Sequence, residues 1–398
     1  MTMSGWITFG WARRLDHLRQ ARWLWLPMLV FTITRLGIAA VAYFSTPIVI
    51  DSSVPPYHIF PNHTLLDVFT SRWDTGFYLS IAETGYHYEG ERLPSVAFFP
   101  LMPVLMRGAR LLVGSYLTAG LIISNLSLLV ASIMFYRLAV DSWGSHVAER
   151  AVWYLLVFPT SFFGSAIYTE SLFLLTTILA LYLARRGRWG GAAMAGILAT
   201  LTRFMGIIVF PMLVVEWLSQ YKLAREDLRP SWSSLASTAL VPLGTGVYML
   251  YLQLVFGDAL AFLHASSAWG REPVSPLGTI AELLQRPMEG WGNAILASRL
   301  PLDNWVDFFF VIVFLALGVM LLAKRQWSEG VFVLMGTLIP FSSGLLMSQR
   351  RYVWVLFPAF ILLAKWGERS WFDRLIMVLS LMGLGLFTAL FANWYWVG

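Results

Sequence analysis

Apolar residues in this chain run in long unbroken blocks separated by short polar links, rather than alternating with polar ones over a surface period. A hydrocarbon core is crossed by about 20 apolar residues in helical form. The blocks at about 24–45, 117–139, 148–163, 167–184, 189–202, 205–221, 232–256, 303–323, 328–346, 351–366 and 372–395 predict roughly eleven membrane helices. The stretch 189–221 is divided in two because Arg203 stands at its middle, and a turn there carries the charge to a helix end. Two long segments, about 46–116 and about 257–302, are left between blocks. Within the first, RWDTGFYLSIAETGY (72–86) predicts a short interfacial helix.

One apolar segment is assigned differently. FFPLMPVLMRGARLLVG (98–114) holds two prolines together with Arg107 and Arg110, the pattern of an amphipathic helix lying at the membrane surface. With that segment not crossing and the N-terminus inside, Arg185, Arg186, Arg188, Lys222, Arg225, Arg229, Lys324, Arg325, Lys365, Arg369 and Arg374 fall on inner links. Short links rich in Lys and Arg are cytoplasmic by the positive-inside rule. The stretch with Arg13, Arg14, Arg19 and Arg22 runs into the first block without a small-residue cleavage site, so that block is expected to be retained as a membrane helix.

Composition supports this reading. Of 398 residues, 58% are hydrophobic and 13% charged, against about 25% charged in a soluble globular chain. Too few charges remain to coat a water-facing surface. The net charge of +6 follows from inner-link arginines and lysines, so nucleic acid is not expected as a partner. The absence of cysteine excludes disulfides, thiolate metal sites and cysteine nucleophiles. No internal repeat, glycine-rich phosphate loop or separate soluble domain is evident, and residues 1–398 are read as one membrane domain.

Ionisable residues in or beside membrane blocks are costly and need a reason. Arg72 with Asp74, Glu170, Arg203, and Arg350 with Arg351 all fall at the outer ends of predicted helices. Asp74 fits a helix N-cap or a general base acting on a hydroxyl. Glu170 fits a helix N-terminus favoured by the macrodipole, or a second acid that orients substrate or an arginine. Arg203, Arg350 and Arg351 fit snorkelling to headgroups or bidentate binding of phosphate. Arg35, near the middle of the first block, is expected to pair with a carboxylate or line a cavity. His58, His63 and His87 match no metal spacing, and Asn62-His63-Thr64 forms a glycosylation triplet. No cofactor is indicated, and a divalent metal is left open.

Five segments, in order, resemble the PIG-V family of GPI mannosyltransferase II type. They are RWDTGFYLSIAETGY with VAFFPLMPVLMR, FPTSFFGSAIYTESLF, GGAAMAGILATLTRFMGIIVFP, FGDALAFLHASSAWGREP and SQRRYVWVLFPAF. The chain departs from the family pattern mildly, with Thr160-Ser161 for Ala-Ser, Thr169 for Ser, and Ala259 for Pro. The resemblance implies an all-α polytopic membrane protein of the GT-C glycosyltransferase fold. It also implies an inverting transfer of mannose from a polyprenyl-phosphate donor to a lipid-linked or glycan acceptor, on the non-cytoplasmic face. The family's acidic residue of the first outer loop maps onto Asp74, which takes the general-base role. Arg203, Arg350 and Arg351 are then candidates for the carrier phosphate. Glu170, Arg72, Trp73, Tyr78, Tyr168, Arg35 and Trp269 are further candidates for the substrate site. A prokaryotic plasma membrane is the expected location, with the endoplasmic reticulum as alternative. Two other readings stay open: a GT-C enzyme using another sugar, and a transporter or flippase of lipid-linked or anionic substrates.

Overall fold

The computed structural model describes residues 21–46, 48–49, 65–90, 93–223, 229–271, 274–285 and 302–397. His58, His63 and the triplet at 62–64 lie outside the described residues, as does 286–301 of the second long segment between blocks. Every regular element among the described residues is helical. The first part of the bundle consists of α1 (Arg22–Ser45), α2 (Thr75–Thr84), α3 (Leu101–Val113), α4 (Tyr116–Trp143) and α5 (Ser145–Leu156). Next come α6 (Glu170–Arg185), α7 (Trp189–Thr202), α8 (Val209–Leu223) and α9 (Leu243–Phe256). The last part holds α10 (Leu302–Ala323), α11 (Trp327–Phe341), α12 (Gln349–Trp354), α13 (Pro358–Trp366) and α14 (Ser370–Ala392). Helices α4, α6 and α7 pack in succession, α10 lies along α11, and α1 and α14 close the other side.

Six helical stretches among the described residues are long and apolar enough to cross a membrane: 22–45, 116–143, 204–222, 232–256, 304–323 and 370–392. The other five expected spans are shorter or interrupted. Helix α7 has 14 residues, about 21 Å of rise against a hydrocarbon core of about 30 Å. The span expected at 148–163 stops as a helix at Leu156, because Pro159 denies the ladder a donor and crowds the preceding turn. The span expected at 351–366 is likewise divided, with Pro358 opening α13 at its first position. Segment 98–114 forms the expected amphipathic helix α3, which buries Met102 and Met106 and leaves Val104, Leu111 and Leu112 exposed. Arg107 of α3 donates to the carbonyls of Ile81 and Ala82 at 3.0 and 2.6 Å and so closes the C-terminus of α2.

The break after α5 organises the site. From Val157 to Thr169 the α-helical ladder is broken, with only the short 3-10 helix Ser161–Gly164 as regular structure, and every residue is buried. Such backbone is tolerated in a membrane domain only when the protein itself supplies the missing partners. Arg35 does so: its Nη1 donates to the Ser161 carbonyl at 2.7 Å and its Nη2 to the Leu156 carbonyl at 2.9 Å. Trp354 Nε1 donates to the Leu155 carbonyl at 2.8 Å, and Asn125 Nδ2 to that of Ser165 at 3.2 Å. Arg35 thus has carbonyls and hydroxyls as its partners rather than the carboxylate or cavity expected for it. Gly164 is needed here, because a Cβ would stand 2.7 Å from Trp354 and 2.8 Å from Leu128.

Candidate active site

The irregular segment delivers Tyr168, Thr169 and Glu170 to one end of α6, facing the 72–78 segment. The Tyr168 hydroxyl donates to the Arg72 carbonyl at 3.1 Å and accepts from the Asp74 amide at 3.2 Å. Between those two bonds Trp73 adopts a left-handed conformation, φ 53°, which costs a bulky residue about 1–3 kcal/mol. The clamp holds that strain and turns the Asp74 side chain away from the helix it precedes. Asp74 makes no capping bond to α2. Its Oδ2 instead accepts from Arg351 Nη1 at 2.9 Å.

Glu170 opens α6 at 1% exposure, and its Oε1 lies 3.0 Å from Arg203 Nη2 and 3.2 Å from Arg351 Nε. Asp74, Arg351, Glu170 and Arg203 therefore form one chain of contacts drawn from four separate segments. Arg203 reaches it because α7 ends at Thr202 and the chain extends for one residue, φ −166° and ψ 156°, before the turn Phe204–Ile208. That turn folds back tightly on α7: a Cβ on Gly206 would come within 2.2 Å of the Ala199 carbonyl oxygen.

A cavity of about 460 Å³ opens on this chain, lined by Asp74, Tyr78, Thr169, Arg203 and Arg351 among others. Arg271 and Tyr352 complete its polar wall. Arg271 donates to the Tyr352 hydroxyl at 2.9 Å and to Ser343 Oγ at 3.1 Å. The guanidinium carbons of Arg203, Arg271 and Arg351 lie 5.4, 5.4 and 5.2 Å from the Tyr352 ring. Three guanidiniums thus face two carboxylates, an arrangement suited to an anion of the phosphodiester kind. The lining also has an apolar part that includes Phe98, Phe99, Phe204 and Phe262. Tyr78 contacts Thr169 Oγ1 at 3.3 Å, and burial, reinforced by the charges of Glu170 and Asp74, pushes its phenol above the usual range, so it stays protonated. Asp74 and Glu170 both have arginine partners, and no group of three His, Cys, Asp or Glu among the described residues converges as a metal set.

Not every expected residue faces the cavity. Arg350 turns the other way: its Nε lies 3.1 Å from Asp307 Oδ1, which also accepts the Arg350 amide at 2.8 Å. Successive helical side chains diverge by about 100°, so adjacent arginines serve different partners. Arg72 has its guanidinium 4.0 Å from the Trp394 ring and donates to the Ala392 carbonyl at 3.0 Å, anchoring the segment that follows α14. Trp269 ends the turn Ala265–Trp269, and its side chain lies outside what is described. His87 Nε2 contacts the Leu93 carbonyl at 2.7 Å and is not among the residues lining the cavity. Arg271, Tyr352 and Asp307 were not singled out from the sequence, although Arg271 and Tyr352 stand inside two of the five family-like segments.

The two long segments between apolar blocks meet at the cavity, where Phe99 and Phe262 are both lining residues. Asp258 Oδ2 accepts from the Tyr88 hydroxyl at 3.0 Å and is 2.7 Å from His264 Nδ1. The His264 hydrogen bond, helped by those from the Leu260 amide and Tyr88, holds the Asp258 carboxyl below its usual range. Phe99 and Phe262 pack edge to face, 5.3 Å between centroids.

Known proteins resemble this chain at three levels. The family model described as mannosyltransferase (PIG-V) matches residues 40–262, more than half of the chain. GPI mannosyltransferase 2 of Yarrowia lipolytica is 30% identical over 132 residues, which are 33% of this chain and 35% of that protein, so the match spans about a third of the curated relative. The oligosaccharyltransferase of Archaeoglobus fulgidus, solved with zinc and sulfate, covers 93% of this chain and 53% of its own at 13% identity and TM-score 0.42. The same organism's enzyme AglB, solved with an inhibitory peptide and a dolichol-phosphate, covers 95% and 57% at 12% identity and TM-score 0.41. Those structural likenesses are too low to carry function; the family match stands on sequence. With that match over more than half of the chain, and with six long apolar helices among its described residues, the protein is an all-α polytopic membrane protein belonging to the PIG-V mannosyltransferase family.

Proposed function

We propose that this protein is an inverting GT-C mannosyltransferase that moves mannose from a polyprenyl-phosphate carrier to a hydroxyl of a lipid-linked or glycan acceptor. The cavity faces away from the cytoplasm. The observation that carries this reading is the Asp74–Arg351–Glu170–Arg203 chain, 2.9, 3.2 and 3.0 Å link by link, beside a cavity of about 460 Å³ whose lining also includes Arg271.

The donor is a phosphodiester with one negative charge. Its phosphate is matched by Arg203, Arg271 and Arg351, which outnumber the nearby carboxylates. Glu170 fixes two of those guanidiniums in place before the lipid arrives. The incoming phosphate competes with Asp74 for Arg351, so donor binding frees the carboxylate oxygen that the arginine holds. The acceptor O–H then attacks the anomeric carbon from the face opposite the phosphate. The bond from carbon to phosphate oxygen breaks, the acceptor proton passes to Asp74, and the polyprenyl phosphate leaves with a second negative charge. That charge grows where the arginines already are, and preorganised donors of this kind stabilise the transition state. A β-linked donor yields an α-mannoside. The apolar wall with Phe204 and Phe262 suits the carrier's isoprene chain.

The test is transfer by the purified protein in lipid nanodiscs, with polyprenyl-phosphate mannose and a panel of lipid acceptors read by mass spectrometry. A mannosylated lipid of α configuration is expected. Transfer only from a carrier bearing a different sugar corrects the donor. No transfer from any carrier, with lipid-linked sugar moved across vesicles instead, overturns the enzyme reading in favour of a flippase.

A further inference from the structure

We propose that Trp396 is the residue against which the transferred sugar is seated: its indole supplies an apolar face to the pyranose ring and its N–H a hydrogen bond to a sugar hydroxyl. This deepens the donor reading above and rests on it.

Trp396 lines the cavity together with Asp74 and Arg351. The Arg351 guanidinium lies 5.5 Å from the indole centroid while it donates to Asp74 at 2.9 Å. An anomeric carbon placed between the base and the arginines therefore has this ring as its neighbour. The indole is fixed from two sides, edge to face with Trp73 at 5.2 Å and Phe163 at 6.3 Å. Its segment is held as well: Asn393 Nδ2 donates to Ser45 Oγ at 3.3 Å and to the Ala389 carbonyl at 2.8 Å. Such a ring is preorganised, and little freedom is lost when a ligand meets it.

The polar edge of the ring points to the kind of ligand. Nε1 of Trp396 is a buried donor with no partner, and so is Nε1 of Trp73 beside it. A buried donor left unmade is penalised, and a ligand acceptor relieves that penalty. The lining tyrosines are already engaged, Tyr78 with Thr169 and Tyr352 with Arg271. The lining phenylalanines have nothing to donate. A sugar presents both matching surfaces, a face of C–H groups for the ring and hydroxyl acceptors for the N–H. The Arg351 guanidinium that pairs with Asp74 also lies over this indole, so a phosphate bound to Arg351 holds the attached sugar beside both the ring and the base.

The experiment compares binding of polyprenyl-phosphate mannose and of bare polyprenyl phosphate to the full chain in nanodiscs, for wild type, Trp396→Phe and Trp396→Leu. Wild type is expected to prefer the sugar-bearing lipid. Trp396→Leu should weaken binding of that lipid about tenfold, the size of one aromatic contact with one hydrogen bond. Trp396→Phe, which keeps a ring and loses the N–H, should weaken it about threefold. Both variants should bind bare polyprenyl phosphate as wild type does, which reports an intact fold and arginine set. Equal losses for both lipids, no loss for either variant, or a wild type that binds both lipids alike overturns the proposal. A wild type that binds neither lipid overturns the donor reading itself, and the seat with it.

Discussion

Helix α6 carries a buried arginine–carboxylate cluster at each end, and the two clusters differ in the features that separate a site from a brace. At the N-terminal end, Glu170 meets Arg203 and Arg351, with Asp74 and Arg271 nearby and a cavity alongside. At the C-terminal end, fifteen residues on and about 22 Å away, Arg185 meets Glu216 at 3.5 Å and makes its closest contact with Glu329. There Ser328 Oγ bridges Glu216 at 2.6 Å and Glu329 at 2.8 Å, and Gln220 donates to Glu216 at 2.9 Å. No side-chain polar atom of that second cluster is left buried without a partner, whereas Glu170 Oε2 and Arg203 Nη1 of the first are. The first has more arginines than carboxylates and space beside it; the second has more carboxylates than arginines and is lined by its own residues. Incomplete pairing beside a cavity marks where a ligand completes the set, while complete pairing between α6, α8 and α11 marks a structural tie.

That contrast breaks first at Asp74. Asp74→Asn keeps shape and hydrogen bonding to Arg351 but removes the proton acceptor. Transfer should fall about 10³-fold, within the range for a positioned base, with carrier binding and thermal stability retained. Near-normal turnover in the nanodisc assay sinks the assignment and leaves Asp74 as a partner of Arg351 only. The next effect belongs to Arg351→Gln. It removes the group shared by Asp74, Glu170 and the proposed phosphate, and carrier affinity should fall about 10²-fold, as for truncation of a buried, hydrogen-bonded charge. Unchanged affinity, measured with bare polyprenyl phosphate, places the phosphate elsewhere in the cavity.

The two clusters were not equally legible in the sequence. Asp74, Glu170, Arg203 and Arg351 stood out because each is ionisable at the expected outer end of an apolar block, and the family-like segments pointed to the same places. The second cluster went unread for the opposite reason: Arg185 counts as an ordinary link charge, Glu329 falls in the first turn of α11 where charges are commonplace, and Glu216 stands alone midway along α8 with no neighbouring charge to mark it. Pairing is the missing quantity. A linear chain shows that Arg350 and Arg351 are adjacent, but not that a helical turn sends one to Asp307 and the other to Asp74. The role of Arg35 depended on where α5 stops, since the carbonyls it serves are orphaned only by the break around Pro159. The order of the apolar blocks was readable throughout. Which of them are long continuous helices was not, because Pro159 and Pro358 interrupt blocks whose mean hydropathy is unaffected by the interruption.

The smaller effects sharpen the comparison from the other end of α6. Arg185→Met leaves Glu216 and Glu329 facing each other without their cation, and breaking a buried set in this way costs about 3 kcal/mol. The apparent melting temperature in detergent should drop, while transfer per folded molecule stays at the wild-type value. A loss of turnover with unchanged melting would mean that the far cluster communicates with the cavity along α6.

Glu329→Gln should do least. It removes the surplus carboxylate, leaves Glu216 to pair with Arg185, and provides an amide that donates where two acids had to share one serine hydroxyl. Stability should be unchanged or raised, by about 1 kcal/mol at most, and turnover should not move. The matching change at the other end, Glu170→Gln, has no such relief, because Arg203 and Arg351 would lose the carboxylate that holds both. Comparing melting temperature and turnover for these two isosteric substitutions therefore separates the clusters directly: a Glu329→Gln variant that melts several degrees lower would show that the Arg185 cluster needs both its acids, and that surplus charge alone does not distinguish the two ends.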